Sequence, residues 1–193
     1  SLPWIRANVA SNGEKLVVID DDPTGTQTVQ GVSVLTDWCS DSIRAELESD
    51  IPAFFIVTNS RSMPLTMAKE VNYQVGRNLK KAIDGFGQRT AIFSRGDSTL
   101  RGHYPGEVDA LVQGLGVRFD ARILIPFLLE GGRYTIGDVH YVVEGKNLIP
   151  TGHTEFARDP IFRYRSSNMR QWVAEVTNRK ISPNQVVSIS IEG

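Results

Sequence analysis

The fold is decided by one short stretch near the start of the sequence, Leu16-Val17-Val18-Ile19-Asp20-Asp21-Asp22-Pro23-Thr24-Gly25-Thr26. Its first four residues are apolar and mostly β-branched, which is the pattern of a strand buried on both faces. A turn rich in acidic residues follows at once. Because strands of this kind occur in parallel sheets, the stretch predicts such a strand with polar side chains at its carboxyl end.

The same apolar pattern recurs further along the chain, alternating with helical periods. Four more strands are predicted at residues 32–35, 53–57, 91–93 and 122–125. Apolar residues at spacings of three and four predict helices at 68–82, 108–115 and 169–176. The sequence therefore predicts an α/β fold, a three-layer sandwich in which helices flank a mostly parallel sheet.

The pattern changes after Pro126, where glycines interrupt the chain. Residues 140–143 and 146–149 predict a small β-hairpin inserted after residue 126. Residues 185–191 follow the turn signal Ser182-Pro183-Asn184 and predict one more strand.

Composition excludes several classes of function. The 21 basic and 22 acidic residues give a net charge of −1, which argues against a nucleic-acid or membrane partner. Cys39 is the only cysteine, and the three histidines have no metal-ligand spacing, so neither a disulfide nor a metal site is expected. A cytoplasmic protein is the simplest expectation.

Polar residues follow four of the predicted strands. The segments are Asp20–Asp22, Thr58-Asn59-Ser60-Arg61-Ser62, Arg95 to His103, and Glu130-Gly131-Gly132-Arg133. Because the carboxyl ends of parallel strands meet at one edge of a sheet, we expect these side chains to suit a small, anionic, hydroxylated ligand. Each residue also has a structural reading, since aspartates cap helices and make turns, and arginines form surface ion pairs.

Three motifs in this order resemble the four-carbon acid sugar kinase family. They are Asp21-Asp22-Pro23-Thr24-Gly25, Thr58-Asn59-Ser60-Arg61-Ser62 and Asp97-Ser98-Thr99-Leu100-Arg101-Gly102. The segments from Pro126 to His140 and from Thr154 to Pro160 are similar to that family as well. The resemblance runs from residue 16 to beyond Asp159, most of the chain.

The resemblance implies an N-terminal extension (1–15), a sugar-acid-binding domain (16–193), and a following nucleotide-binding domain that this chain lacks. The full-length enzyme would use ATP and Mg²⁺ to phosphorylate threonate, erythronate or a 3-oxo-tetronate on its terminal hydroxyl. The 193-residue chain alone would be inactive, with no cofactor bound. Its partners would be the sugar acid, the nucleotide domain and, as an open option, a second copy.

Site residues are assigned within these motifs. The guanidinium group of arginine can pair with a substrate carboxylate through two hydrogen bonds. The predicted carboxylate-binding residues are Arg61, Arg101 and Arg133, with Arg95 as a further candidate. Asp22 is the predicted acceptor of the hydroxyl proton, with Asp21 or Asp97 as substitute. The remaining predicted substrate-binding residues are Thr24, Gly25, Ser60, Ser98, Thr99 and Gly102.

Two alternatives stay open. The pattern Asp20-x-Asp22-x-Thr24 after a strand also resembles the nucleophile motif of Mg²⁺-dependent phosphatases of the haloacid dehalogenase type, with Asp20 as nucleophile and Asp22 as acid/base. The chain would otherwise be a stand-alone module that binds a sugar acid without catalysis. No glycine-rich phosphate-binding motif occurs in the sequence.

Overall fold

The computed structural model describes residues 3–4, 7–8, 11, 13–87 and 89–190. The chain divides into two compact units. Unit 1 comprises Ser1–Arg95 and Gly106–Arg118, and unit 2 comprises Gly96–Pro105 and Phe119–Gly193. Residues 1, 2, 5, 6, 9, 10 and 12 of the predicted N-terminal extension lie outside the described residues, and Lys15 already belongs to the first strand.

Unit 1 is built on a parallel sheet of four strands. These are β1 (Lys15–Asp20), β2 (Ser33–Leu35), β3 (Ala53–Val57) and β4 (Thr90–Arg95), in the spatial order β2-β3-β1-β4. All three pairings are parallel, and Val17 lies beside Phe54 on one side and Ile92 on the other. The four corresponding sequence predictions are confirmed.

Among the described residues between 13 and 118, three α-helices accompany this sheet: α1 (Ser40–Glu48), α2 (Leu65–Ile83) and α3 (Gly106–Leu115). The alternate residues of β1 and β3 pack with them in one core. Its fully or nearly fully buried members are Val17, Ile19, Ile43, Leu47, Phe54, Ile56, Val75, Leu79, Ala82, Leu111 and Leu115. Helices α2 and α3 agree with the predicted stripes. Helix α1 was not predicted, because Ile43 and Leu47 are its only buried residues.

Glycines allow α2 and α3 to approach closely. A Cβ on Gly76 would lie 2.4 Å from the carbonyl oxygen of Leu111, and one on Gly114 would lie 2.2 Å from that of Tyr73. Both distances are far below van der Waals contact, so any larger residue would push the helix backbones apart. The two glycines therefore set how closely α2 packs against the carboxyl half of α3.

The described part of unit 2 contains an antiparallel sheet and one α-helix. The strands are β5 (Arg133–Ile136), β6 (Val139–Glu144) and β7 (Asn147–Pro150), and the helix is α4 (Met169–Val176). The predicted hairpin is β6–β7, and β5 extends it to three strands. A second core forms around Tyr164, Trp172 and Val173. The predicted fold class is confirmed: a mostly parallel sheet flanked by helices, with a small β addition after residue 126.

Two strand predictions are wrong. Residues 122–125 form no strand, and the side chains of Ile123 and Ile125 are 75% and 54% exposed. Residues 186–190 form none either, with Val187 85% exposed, and residue 191 lies outside the described residues. Short apolar runs become strands only where a neighbouring backbone supplies hydrogen bonds, and neither run has such a ladder among the described residues.

No helix among the described residues has both the length and the apolar character needed to cross a membrane.

Candidate functional site

The end of β1 carries a buried ion pair. Asp20 lies beside Arg95 in the register of β1 and β4, and Arg95 Nη1 is 3.2 Å from Asp20 Oδ1. Asp20 is fully buried, and its Oδ2 has no hydrogen-bond partner among the described residues. Burial raises the pKa of Asp20, and the positive charge of Arg95 opposes that shift. Asp20 therefore depends on Arg95 for compensation of its charge.

Arg61 connects the next two aspartates. Its Nη2 lies 2.6 Å from Asp21 Oδ1 and its Nε 3.0 Å from Asp21 Oδ2, which is a two-point fork. Its Nη1 lies 3.2 Å from Asp22 Oδ2. The backbone N–H of Arg61 also donates to the carbonyl of Asp21, at 3.1 Å. All three guanidinium nitrogens of Arg61 thus contact carboxylates of unit 1.

Asp21 and Asp22 differ in environment although they share Arg61. Burial raises the pKa of Asp21, against the opposing hydrogen bonds from Arg61. The pKa of Asp22 is lowered, mainly by a hydrogen bond with the Thr24 side chain. The side chain of Asp22 is 25% exposed. Asp22 is therefore the aspartate of this cluster that is held ionised and remains accessible to solvent.

A row of oxygen atoms runs behind this cluster. Glu107 Oε1 lies 2.8 Å from Ser60 Oγ, which lies 2.9 Å from Thr58 Oγ1, which donates to the carbonyl of Asp20 at 3.0 Å. Glu107 is only 7% exposed. Burial raises the pKa of Glu107 to about 7, and the negative charge of Asp21 adds to that effect.

Unit 2 holds a second polar cluster, in the segment that follows β4. Asp97 Oδ2 accepts hydrogen bonds from the Thr99 N–H at 3.2 Å, from the Thr99 hydroxyl, and from Arg101 Nε at 2.8 Å. Arg101 Nη1 is 3.8 Å from Asp159 Oδ2. Leu100 has φ of 68°, which turns the chain sharply between Thr99 and Arg101.

Two guanidinium groups lie against the same aromatic ring in unit 2. The Cζ of Arg101 lies 5.1 Å from the ring centroid of Phe156, and the Cζ of Arg133 lies 5.6 Å from it. Arg133 Nη1 donates to the carbonyl of Gly131. Arg133 Nε is buried and finds no hydrogen-bond partner among the described residues. A buried, unsatisfied cationic donor is costly unless a ligand supplies the acceptor.

Buried side chains hold the segment that carries Arg101. His140 Nε2 lies 2.8 Å from the carbonyl of Ser98, and the Tyr164 hydroxyl donates to the carbonyl of Thr99 at 2.7 Å. Burial lowers the pKa of His140 and raises that of Tyr164 to about 12, so both rings are neutral at physiological pH. Since a carbonyl can only accept, the hydrogen of His140 is on Nε2.

The predicted site residues therefore fall into two groups. Unit 1 brings together Asp21, Asp22, Arg61 and Thr24, and places Gly25 against the Asp20–Arg95 pair. Unit 2 brings together Asp97, Thr99 and Arg101, and sets Arg101 and Arg133 on Phe156. Ser60 and Thr99 are buried, Ser98 contributes its carbonyl to His140, and Gly102 has φ of 143°. The ligand-contact roles of all these residues stay predictions.

Sequence reasoning missed Glu107 and gave Phe156 no role. Glu107 stands three, four, seven and eight residues before Ala110, Leu111, Gly114 and Leu115, which form the buried face of α3. That spacing was the available signal, because a glutamate on a buried face must be satisfied or protonated. Phe156 has no comparable signal, because its role depends on two arginines from other segments.

The described residues contain no group of three or more His, Cys, Asp or Glu side chains arranged to hold a metal ion. The sequence also lacks a glycine-rich phosphate loop.

Comparison with known proteins identifies the family. The sequence matches the sugar-binding N-terminal domain family over residues 16–190. The chain belongs to this family. No curated protein matches the chain.

Solved structures of two related proteins share the fold of this sugar-binding domain. One is a DUF1537 protein from Bordetella bronchiseptica, described with bound citrate as a domain-swapped dimer, with 21% identity and a TM-score of 0.59. The other is a DUF1537 protein from Haemophilus influenzae, with 22% identity and a TM-score of 0.56. The family match over residues 16–190 confirms the resemblance found in the motifs, and both solved structures show the same fold.

The chain corresponds to only part of these relatives. Each match covers 81% of this chain, but only 38% of the Bordetella protein and 37% of the Haemophilus protein. The chain therefore spans less than two-fifths of their length. None of the comparisons supports the phosphatase alternative, and Asp20 is fully buried against Arg95, where a nucleophile could not reach a substrate.

Proposed function

We propose that this chain is the sugar-acid-binding domain of a four-carbon acid sugar kinase, and that Arg101 and Arg133 bind the substrate carboxylate. The observation that carries the proposal is the pair of guanidinium groups on Phe156, together with the buried Nε of Arg133, which has no hydrogen-bond partner among the described residues. A carboxylate has two oxygens that can each accept from such donors. Arg61 is a weaker candidate, because its three nitrogens already contact Asp21 and Asp22.

The substrate class follows from the same chemistry. The Bordetella protein was solved with citrate, which is a hydroxylated carboxylate. Threonate, erythronate and 3-oxo-tetronates combine a carboxylate with hydroxyl or oxo groups in the same way. The predicted acceptor of the substrate's hydroxyl proton stays Asp22, with Asp21 or Asp97 as substitute. Asp22 is held ionised and accessible in unit 1, and Asp97 lies beside Arg101 in unit 2. ATP and Mg²⁺ would be bound by a separate nucleotide domain of the full-length enzyme.

The proposal is tested by calorimetric titration of this chain with D-threonate, D-erythronate, L-threonate and a 3-oxo-tetronate, and separately with ATP–Mg²⁺. We expect one sugar acid to bind and ATP not to bind. Arg133→Ala should weaken binding by about 2–5 kcal/mol, because a buried charged donor is removed from its carboxylate. Arg158→Ala is the matched control, since Arg158 lies exposed two residues from Phe156.

Each outcome separates the alternatives. Equal affinities of the Arg133→Ala variant and the wild type would show that the carboxylate binds elsewhere. Tight binding of ATP to this chain would contradict the proposed division between a sugar-acid domain and a nucleotide domain. A full-length protein that binds the sugar acid but transfers no phosphoryl group to it would favour the stand-alone binding module.

A homo-oligomer is also proposed, because the Bordetella protein is described as a domain-swapped dimer. Light scattering of this chain would test it, and a monomeric mass at all concentrations would contradict it.

A further inference from the structure

The row of oxygens behind the aspartate cluster of unit 1 contains one ionisable member. Glu107, Ser60, Thr58 and the carbonyl of Asp20 make three consecutive oxygen–oxygen contacts, of 2.8, 2.9 and 3.0 Å. The members come from three different places in unit 1: the first turn of α3, the loop after β3, and the end of β1. The row therefore ties that loop to α3 on one side and to β1 on the other.

Counting hydrogens shows what the row requires. Three hydrogen bonds need three hydrogens, and the hydroxyls of Ser60 and Thr58 supply two. The carbonyl of Asp20 supplies none. Ser60 can donate to the carboxylate of Glu107, but its hydrogen is then lost to the contact with Thr58. The third hydrogen can come only from a protonated Glu107, which would donate to Ser60, as Ser60 donates to Thr58 and Thr58 to Asp20. With Glu107 ionised, two hydrogens remain for three contacts, and one contact has no hydrogen bond.

The row holds the turn that presents Arg61. Ser60 is the first residue of the 3₁₀ turn Ser60–Ser62, and Asn59 before it has φ of 53°, in the left-handed region. Asparagine tolerates this region and the turn has local hydrogen bonds, and the row adds contacts to α3 and β1. From this turn Arg61 donates its backbone N–H to Asp21 and spreads its guanidinium over Asp21 and Asp22.

We propose that Glu107 is a positioning residue for the Arg61–Asp21–Asp22 cluster, and that it acts in its protonated form through Ser60 and Thr58. Loss of the proton breaks the row and loosens the turn that carries Arg61. The inference rests on the proposed function only for its relevance to ligand binding.

The groups that face Glu107 act in opposite directions, and burial decides between them. Asp21 presents a carboxylate from the end of β1, which opposes ionisation, whereas the hydrogen bond with Ser60 and the cation of Arg61, both from the loop after β3, favour it. Lys69 of α2 lies near the adjacent Gly106, where a Cβ would be 3.6 Å from its Cδ. Burial is the largest effect on Glu107 and raises its pKa.

The test follows Glu107 and Arg61 separately in this chain, without ligand. Carboxyl ¹³C NMR of glutamate-labelled protein follows the titration of Glu107, and the Glu107→Gln variant assigns its signal. Hydrogen exchange measures the protection factor of the Arg61 amide, corrected for the intrinsic pH dependence of exchange, between about pH 5.5 and about pH 8.5.

In the wild type we expect the protection factor of the Arg61 amide to fall about tenfold as the pH rises. The midpoint of this fall should coincide with the midpoint of the Glu107 titration, and its size corresponds to the loss of one hydrogen bond. Glu107→Gln should keep the high protection at every pH, because its amide always has a hydrogen to donate to Ser60. Ser60→Ala, which interrupts the row, should show low protection throughout.

Two results would overturn the inference. One is a Glu107 signal that titrates like an exposed glutamate. The other is Arg61 protection that stays constant while Glu107 ionises. Failure of every sugar acid to bind would refute the proposed function and leave this test unaffected.

Discussion

Replacing Glu107 by glutamine should remove a specific pH dependence of stability from unit 1. The pKa of Glu107 is raised by burial from 4.5 to about 7. The folded chain therefore holds this proton more tightly than the unfolded chain does. The stability that the protonated carboxyl contributes is complete below 4.5, the unfolded value, and is lost as the pH rises through about 7.

The size of the effect follows from the same shift. The pKa of Glu107 is higher in the folded chain than in the unfolded chain by about 2.5, and each pKa unit corresponds to about 1.4 kcal/mol. The free energy of unfolding should therefore change by about 3 kcal/mol between acidic and alkaline conditions. Glutamine cannot ionise, so the variant avoids this loss. We expect Glu107→Gln to gain up to about 3 kcal/mol relative to the wild type when the pH rises from about 4.5 to about 8.5.

The assay is urea denaturation at both pH values, followed by circular dichroism. Other groups titrate in the same range, so the quantity that counts is the difference between variant and wild type at each pH. Glu70→Gln is the control, because Glu70 lies exposed on α2 and should show no such change. A variant-to-wild-type difference that is identical at both pH values would refute the reasoning.

Two further substitutions test the ion pair and the aromatic platform. Arg95→Ala should destabilise unit 1 by about 3 kcal/mol at neutral pH, because it leaves the buried carboxylate of Asp20 without its partner. Denaturation should show recovery when Asp20→Asn is added, and a double variant as unstable as the single one would contradict this. Phe156→Leu should weaken binding of the sugar acid by about 1 kcal/mol, since the ring lies against two guanidinium groups. Phe156→Tyr should bind as the wild type does in calorimetry, and equal loss in both variants would show that the ring face is not what matters.

Local patterns account for the part of the fold that was predicted correctly. The strands β1 to β4 and the helices α2, α3 and α4 each have a periodicity that lies within a few neighbouring residues. The hairpin β6–β7 was visible for the same reason. Residues 122–125 have an equally strong apolar pattern and form no strand, since a strand also needs a partner that its own sequence does not specify.

The candidate site was predicted by residue type but not by arrangement. Arginines and aspartates after strand ends pointed to an anionic ligand, and the motifs pointed to the family. They did not distinguish Arg61, whose nitrogens contact Asp21 and Asp22, from Arg133, whose buried Nε has no partner among the described residues. Both are arginines in similar loops, and only their neighbours differ.

The sequence by itself determined the strand and helix pattern of the α/β fold, the family, and the chemical class of the ligand proposed here, because periodicity and motifs are properties of neighbouring residues. Tertiary structure decided which charges are already compensated and which carboxyl keeps its proton. Arg61 meets Asp21 across 40 positions of sequence, and Glu107 meets Ser60 across 47. Burial and hydrogen-bond partners at such separations exist only once the chain has folded, and they set the pKa values and the free donors of the site.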